Sequence, residues 1–465
     1  MKQTVPILLA ALVTGCAQTP LPPPTPPALA AQWRSGPTQD GTGASWWKAF
    51  ADPRLDALEA QALAGNLDIQ QALARLDQVR SVRGAAGAAL APAVNLDASA
   101  GRVQQSLNAG LGPLAAIVPG YARTADPGQL GLSSSWELDF AGGLRQQREA
   151  AAAMADASAA EWSAWRLAIT AEVADAYLTA LGMGLQHAAL ARQLALLARQ
   201  QHTMEVRLRV GAAAQTELDL VQARIAETTA PLAALASAVA QQKYRLAVLL
   251  GRDPSGWEPD LPTAAALPVA ADPLGGQPVD LLRRRPDVLA AQRRVASANA
   301  RVAASLAEYY PRISLSAAAG QEASTMANLD ASRSSFVQTF LGLRWRLFDF
   351  GRIDAEVARA KGQQQEALLA YRAAVLRAAS EVESSFAQLA AARESRQQLQ
   401  AQSSRVQQVW QTLQRSHALG AASLDEVHTA ERQVAKVDYD LATADLAIAR
   451  AVVAAARALG GPVAD

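Results

Sequence analysis

The chain has 465 residues, with 43 Lys and Arg against 42 Asp and Glu, four His and a single Cys. A net charge of +1 gives no electrostatic drive toward nucleic acid, one Cys excludes a disulfide framework and a Cys-based zinc site, and His187, His202, His417 and His428 have no metal-ligand spacing. Alanine, nearly a quarter of the chain, suits long helices in close contact, while a half-hydrophobic composition with mean hydropathy +0.02 leaves no mature run able to span a membrane as a helix.

Residues 1–15 read as an export signal: Met1-Lys2 is a short positive region, followed by an apolar run from Val5 to Val13. The run stops at Val13-Thr14-Gly15-Cys16, a small residue before the only Cys, which resembles a bacterial lipobox. Cys16 is then the lipidated N-terminus; the other reading is a plain signal peptide with an incidental Cys. Residues 16–45, with the Pro-rich stretch 21–27, form an extended tether.

The rest is written twice. Trp136 and Trp345 open the similar stretches WELDFAGGL and WRLFDFGRI, and they stand 209 residues apart. The pairs Gly142/Gly351, Glu172/Glu381, Tyr177/Phe386, Gly211/Gly420 and Gly251/Gly460 share that separation. Upstream, PAVNLDASAG at Pro92 matches PRISLSAAAG at Pro311, 219 residues apart. Each half, 46–251 and 281–461, is expected to read helix, strand, strand, very long helix, long helix, with 252–280 as a linker and 462–465 as a tail.

Four strands are expected. Val94, Leu96 and Ala98 oppose Asn95, Asp97 and Ser99; Leu130, Leu132, Trp136, Leu138 and Phe140 oppose Ser133, Ser135, Glu137 and Asp139. Ile313, Leu315, Ala317 and Ala319 form the third apolar face, and Val337, Leu341, Leu343, Trp345 and Leu347 the fourth. Such alternation fits tilted membrane strands of roughly 9 to 11 residues, and equally a soluble sheet with one wet face. In the membrane reading, four strands leave open edges in lipid, which forces an oligomer. The long helices carry apolar stripes at helical spacing; one spanning 144–209 reaches on the order of 100 Å. Pro231 predicts a kink in the first return helix.

Three segments resemble the TolC-like outer membrane efflux proteins, in their lipoprotein (NodT-type) branch. They are WWKAFADPRLDALEAQALAGNLDIQQALARL (46–76), the stretch 281–315 with its Arg283-Arg284-Arg285-Pro286-Asp287 core, and the paired turns RVGAAAQTELDLVQA and ALGAASLDEVHTA. The resemblance implies an α+β membrane protein: a homotrimer whose four strands per chain make a 12-stranded β-barrel, continuing into a long periplasmic α-helical barrel. It implies a passive exit duct of a tripartite efflux pump in the Gram-negative outer membrane. That duct docks on a periplasmic adaptor (membrane fusion) protein coupled to an inner-membrane RND-type transporter. No catalytic, cofactor or metal residue is expected, and no enzymatic activity.

Function should concentrate at the hairpin tips. Gly211 and Gly420 end the descending helices as C-terminal caps, and Thr216-Glu217 and Ser423-Leu424-Asp425-Glu426 start the ascending ones with acidic groups. Capping explains these residues fully. The family's closed aperture, held by ion pairs and an acidic ring, explains them too, with Arg207, Arg209, Arg415, Glu217, Asp219, Asp425 and Glu426 as the available charges. Where some relatives carry an Asp in the second tip, this chain has Ala421-Ala422. Arg283 to Arg285 read either as an exposed basic cluster or, because Pro286 starts the next helix, as a structural element of the equatorial belt. Two other functions stay open: an outer-membrane component of type I protein secretion, and a non-channel periplasmic structural lipoprotein.

Overall fold

A computed structural model describes residues 29, 32–33, 45–257, 261, 266–268, 278–280 and 284–463. The signal segment, Cys16, most of the tether and linker, Arg283 and the last two residues lie outside the described residues. The elements are α1 (Pro53–Gly65), α2 (Leu67–Ala88), β1 (Ala93–Ala100), β2 (Val103–Gln104), β3 (Thr124–Ala125), β4 (Gly128–Leu138), α3 (Gly143–Arg209) and α4 (Gln215–Leu249). Then follow α5 (Pro286–Leu306), β5 (Arg312–Ala323), β6 (Ser335–Arg344), α6 (Arg352–Ala418) and α7 (Leu424–Ala458). The duplication is exact in the helices: α3 and α6 have 67 residues each, α4 and α7 have 35, and their ends keep the separation read from the sequence.

Contacts divide the chain into two units, and each half of the repeat contributes to both. One unit draws on Asp77–Ala157 and Gln292–Ala370 and holds an antiparallel sheet in the order β1-β4-β5-β6. The register fixes its faces. Leu96 pairs Leu132, which pairs Ala319, which pairs Val337; Trp136 pairs Leu315, which pairs Leu341. Direct partners share a face, so one side is an apolar field in which Leu96, Leu132, Val337, Leu341 and Leu343 are exposed. The other side carries Asn95, Ser133, Ser135, Ser314, Ser316 and Gln338, together with Phe340, an apolar residue the alternation did not anticipate.

β6 ends at Arg344, short of the Trp345 and Leu347 expected within it. Arg344 pairs with Arg312, and the next residue back on that neighbour is Pro311, which has no N–H to extend the ladder. The short ribbon β2–β3 was not expected; Arg102 clamps its base by a two-pronged hydrogen bond to Asp126 at 2.7 and 3.1 Å. Trp136 donates its indole N–H to the Leu90 carbonyl at 2.9 Å, and Trp345 donates to the Tyr309 carbonyl at 3.0 Å. Both indoles thus tie the C-terminal end of a strand to the stretch just after the preceding helix, at matching places in the two halves.

The other unit draws on Pro26–Leu76, Ser158–Ala291 and Tyr371–Asp465. Its core joins Trp46, Trp47, Phe50 and Leu55 to Val173, Tyr177 and Leu178 of α3 and to Val452 and Val453 of α7. Trp46 donates to the Thr170 hydroxyl at 3.2 Å, and the Tyr177 hydroxyl donates to Asp52 at 2.7 Å. Asp52 also caps α1 by accepting from the Arg54 N–H.

Polar ties set the neighbours within this unit. Arg245 of α4 reaches Glu172 and Asp175 of α3. Gln186 of α3 bonds Thr443 of α7 at 2.9 Å, and Arg396 of α6 bonds Asp445 of α7 at 2.5 Å. The sequence α4, α3, α7, α6 is a row of four helices. Small residues let them approach: a Cβ on Gly182 would stand 2.9 Å from Leu446, and Ala171, Ala174, Ala449 and Ala456 are buried. The alanine excess is spent here. α4 runs through Pro231, the predicted kink site, as one helix; ahead of it the Thr228 and Thr229 hydroxyls bond the carbonyls of Arg224 and Ile225.

Candidate functional site

The turn at each end of the hairpins is built on a glycine. Gly211 and Gly420 have φ of 74° and 76°, the left-handed region a side chain rarely adopts. At the first tip, Ala212 N–H bonds the Arg207 carbonyl at 2.8 Å and Gly211 N–H bonds Leu208 at 3.0 Å. At the second, Ala421 bonds Ser416 at 2.8 Å and Gly420 bonds His417 at 2.9 Å. Each is a Schellman termination, which satisfies carbonyls the helix end would orphan.

The ascending starts differ. Ser423 caps α7 in a full capping box: Glu426 N–H donates to the Ser423 hydroxyl oxygen at 3.2 Å, and the Glu426 carboxylate accepts from the Ser423 N–H at 2.7 Å. Those donors, first the Ser423 N–H and then its hydroxyl, hold Glu426 below the usual carboxylate range. A ring nitrogen of His417 lies 2.9 Å from the Ala422 carbonyl, packing the same turn. At the first tip, α4 starts at Gln215, two residues before the Glu217 expected, with Ala214 in the cap position and no side-chain cap. Thr216 is therefore inside the helix, and Gln215 donates to Asp219 at 2.8 Å instead. Among the described residues of this single chain, no ion pair joins Arg207, Arg209 or Arg415 to Glu217, Asp219, Asp425 or Glu426; the Arg415 Nε bonds the Gln411 carbonyl of its own helix. The seven tip charges are all exposed.

Away from the tips, Arg285 is the most heavily engaged of the expected residues. Its side chain is 9% exposed. It forks onto Asp287 at 2.7 and 3.0 Å, bonds Glu381 of α6 at 2.7 Å, and donates to the Ala458 carbonyl at the end of α7 at 3.0 Å. Burial alone would lower its pKa, but Asp287 and then Glu381 hold it above the ordinary value; the same pairing outweighs burial and holds Asp287 low. Pro286 opens α5 and Asp287 stands in its first turn. The Arg-Pro-Asp core thus ties the start of α5 to the middle of α6 and to the end of α7.

The first half has a counterpart that sequence inspection missed. Asn66, 219 residues before Arg285, donates to the Leu249 carbonyl at 2.8 Å, and its side-chain oxygen accepts from the N–H groups of Asp68 and Ile69. Leu249 ends α4 as Ala458 ends α7. The separation of the two halves was the signal that identifies it. A second residue passed over is Glu59: it is fully buried, and neither carboxyl oxygen has a hydrogen-bond partner among the described residues.

Two tandem copies of a strand pair and a helix hairpin, joined side by side into one sheet and one helix row, define the TolC-like channel fold. The chain belongs to the outer membrane efflux protein family, whose model matches residues 58–252 and 278–461. It is 33% identical over 458 residues to the pyoverdine export outer membrane protein OpmQ of Pseudomonas putida, covering 95% of this chain and 94% of that one. It is 29% identical over 448 residues to nodulation protein T of Rhizobium leguminosarum bv. trifolii, covering 93% and 91%. Among solved structures it is similar to the outer-membrane channel OprN, with a TM-score of 0.83 and 29% identity over 96% of this chain and 99% of that one. The protein is an outer-membrane efflux protein of the channel type.

Proposed function

We propose that three copies form the exit duct of a tripartite pump, carrying small molecules passively from a periplasmic adaptor and an inner-membrane RND-type transporter to the exterior. The observation that carries this reading is the sheet. It has one apolar exposed face, one mostly polar face, and two unpaired edges, β1 and β6. An apolar face suits lipid, but unpaired edges in lipid do not, since each unsatisfied backbone group costs several kcal/mol there. Pairing β1 of one copy with β6 of the next removes every edge and, with three copies, gives a twelve-stranded barrel with a polar lumen. The helix rows of three copies make the tunnel by the same closure. Residues 46–251 and 281–461 act as the two repeats, joined by 252–280. Cys16, released by loss of residues 1–15, anchors the chain by its acyl group.

The tips meet the adaptor and form the aperture. Gly211, Gly420 and the Ser423–Glu426 box set the turn; Arg207, Arg209, Arg415, Glu217, Asp219 and Asp425 are the charges free for contacts between copies or with the adaptor. A small-molecule cargo is supported by the export role in the name of the pyoverdine relative.

Planar-bilayer recording tests this. The purified protein is expected to give stepwise conductance. The combined Glu217→Gln, Asp219→Asn and Asp425→Asn variant, which leaves the capping box intact, is expected to raise it by loosening contacts between copies. Protein that stays soluble and monomeric without detergent and never conducts contradicts the proposal, and unchanged conductance in the variant contradicts the gating role.

A further inference from the structure

The helix row has a groove away from the hairpin tips, bordered by the Arg285 clamp through Glu381 and Ala458. It measures about 850 Å³ and lies across α3, α7 and α6 with α4 at its margin, wholly within one unit. Its orientation follows from helix phase. On α3, Thr170 and Tyr177 face Trp46 and Asp52, the side covered by the N-terminal segment and α1. Glu172 and Asp175 project from the opposite side of the same helix, and these two line the groove. In the trimer proposed above, that side is the lumen.

The groove is lined by guanidinium and hydroxyl groups, and its carboxylates are already committed. Asp175 accepts from Arg450 at 2.8 Å on one oxygen and from Arg245 at 3.2 Å on the other. Glu172 takes the second nitrogen of Arg245 at 3.4 Å. Glu381 is held by Arg285. Arg457, seven residues after Arg450 on the same face of α7, is exposed and has no carboxylate partner among the described residues, while Ser384 and its neighbours on α6 present hydroxyls across from it. Asp175 therefore orients Arg450 and Arg245 without consuming all their donors, and Arg457 adds an unshared positive charge. Arginine forks suit planar anions.

We infer that this groove is a resting site inside the duct for the carboxylate-type anionic group of a passing solute, with Arg457 as its unshared cation; the inference rests on the duct reading. Citrate is a suitable probe, added at constant ionic strength during bilayer recording. Citrate is expected to reduce single-channel current in a saturable way, and Arg457→Ala to weaken its apparent affinity about fivefold, the size of one moderate charge-assisted contact. Arg457→Lys, which keeps the charge, is expected to retain most of the affinity. Arg301→Ala, at an exposed arginine on α5 that does not line the groove, is expected to respond like the parent. A protein that conducts but ignores citrate, or in which Arg457→Ala responds like the parent, overturns the site and leaves the duct reading standing. A protein that does not conduct overturns both.

Discussion

Arg285→Ala is expected to destabilise the fold by about 3 kcal/mol, the lower end of the loss when one partner of a buried ion pair is removed. The lower end applies because the side chains of Asp287 and Glu381 are 47% and 57% exposed and rehydrate once released. The carbonyl of Ala458 has no such outlet on its buried helix end and loses its donor. Arg285→Lys should recover part of the loss, because an ammonium reaches one partner but not the forked arrangement on Asp287 together with Glu381 and the carbonyl. Chemical unfolding followed by circular dichroism measures both variants. A loss below about 1 kcal/mol for Arg285→Ala contradicts the clamp, since that is the size of a surface pair.

Glu59→Leu is expected to do the opposite, stabilising the fold by about 2 kcal/mol at neutral pH, the scale of burying an unsatisfied polar group. Burial first, and then the neighbouring Asp56, push the Glu59 carboxyl well above its ordinary value of 4.5. The sign follows directly. Above pH 4.5 the unfolded chain has lost a proton that the native state still holds, so native stability falls as pH rises until the folded carboxyl itself titrates. The parent protein's melting midpoint is therefore expected to decline across that window, and Glu59→Leu to flatten the decline. A leucine variant that melts lower than the parent at neutral pH, with an unchanged pH slope, contradicts this account.

Much of the architecture was legible because duplication writes it into residue numbers. The constant separation of the glycines located both hairpin turns, and those glycines, at positive φ in each half, are the residues whose backbone geometry another side chain would strain. Alternation located all four long strands and their common apolar face. Three things escaped for physical reasons. The end of β6 is set by Pro311 on the neighbouring strand, and no local pattern in β6 carries that information. The β2–β3 ribbon is too short to alternate, and its clamp joins Arg102 to Asp126 across a long loop. The first tip lacks the side-chain cap of the second, because Ala214 occupies the position equivalent to Ser423.

The site was legible less evenly. The glycines of both tips sit at the hairpin turns, and the tip arginines make no ion pair with the tip carboxylates among the described residues, so no intrachain charge pairing marks a gate. Arg285 announced itself by a motif, whereas Asn66 is a common cap residue and stands out only when the two halves are superposed by number. Glu59 carries no signal at all: a Glu on a helix ordinarily faces solvent, and its burial follows from how α1 packs.

The closure of β1 of one copy on β6 of the next is the claim from which barrel, lumen and tunnel all follow. Disulfide trapping in native outer membranes tests it, with Asn95→Cys on β1 combined in turn with Cys at Phe336, Gln338, Phe340 or Gly342, which share the lumen face of β6. At least one pairing is expected to yield covalent dimers and trimers on a non-reducing gel, with the reduced sample running as a monomer. Monomers alone at every position, from protein that is folded and membrane-inserted, would contradict it.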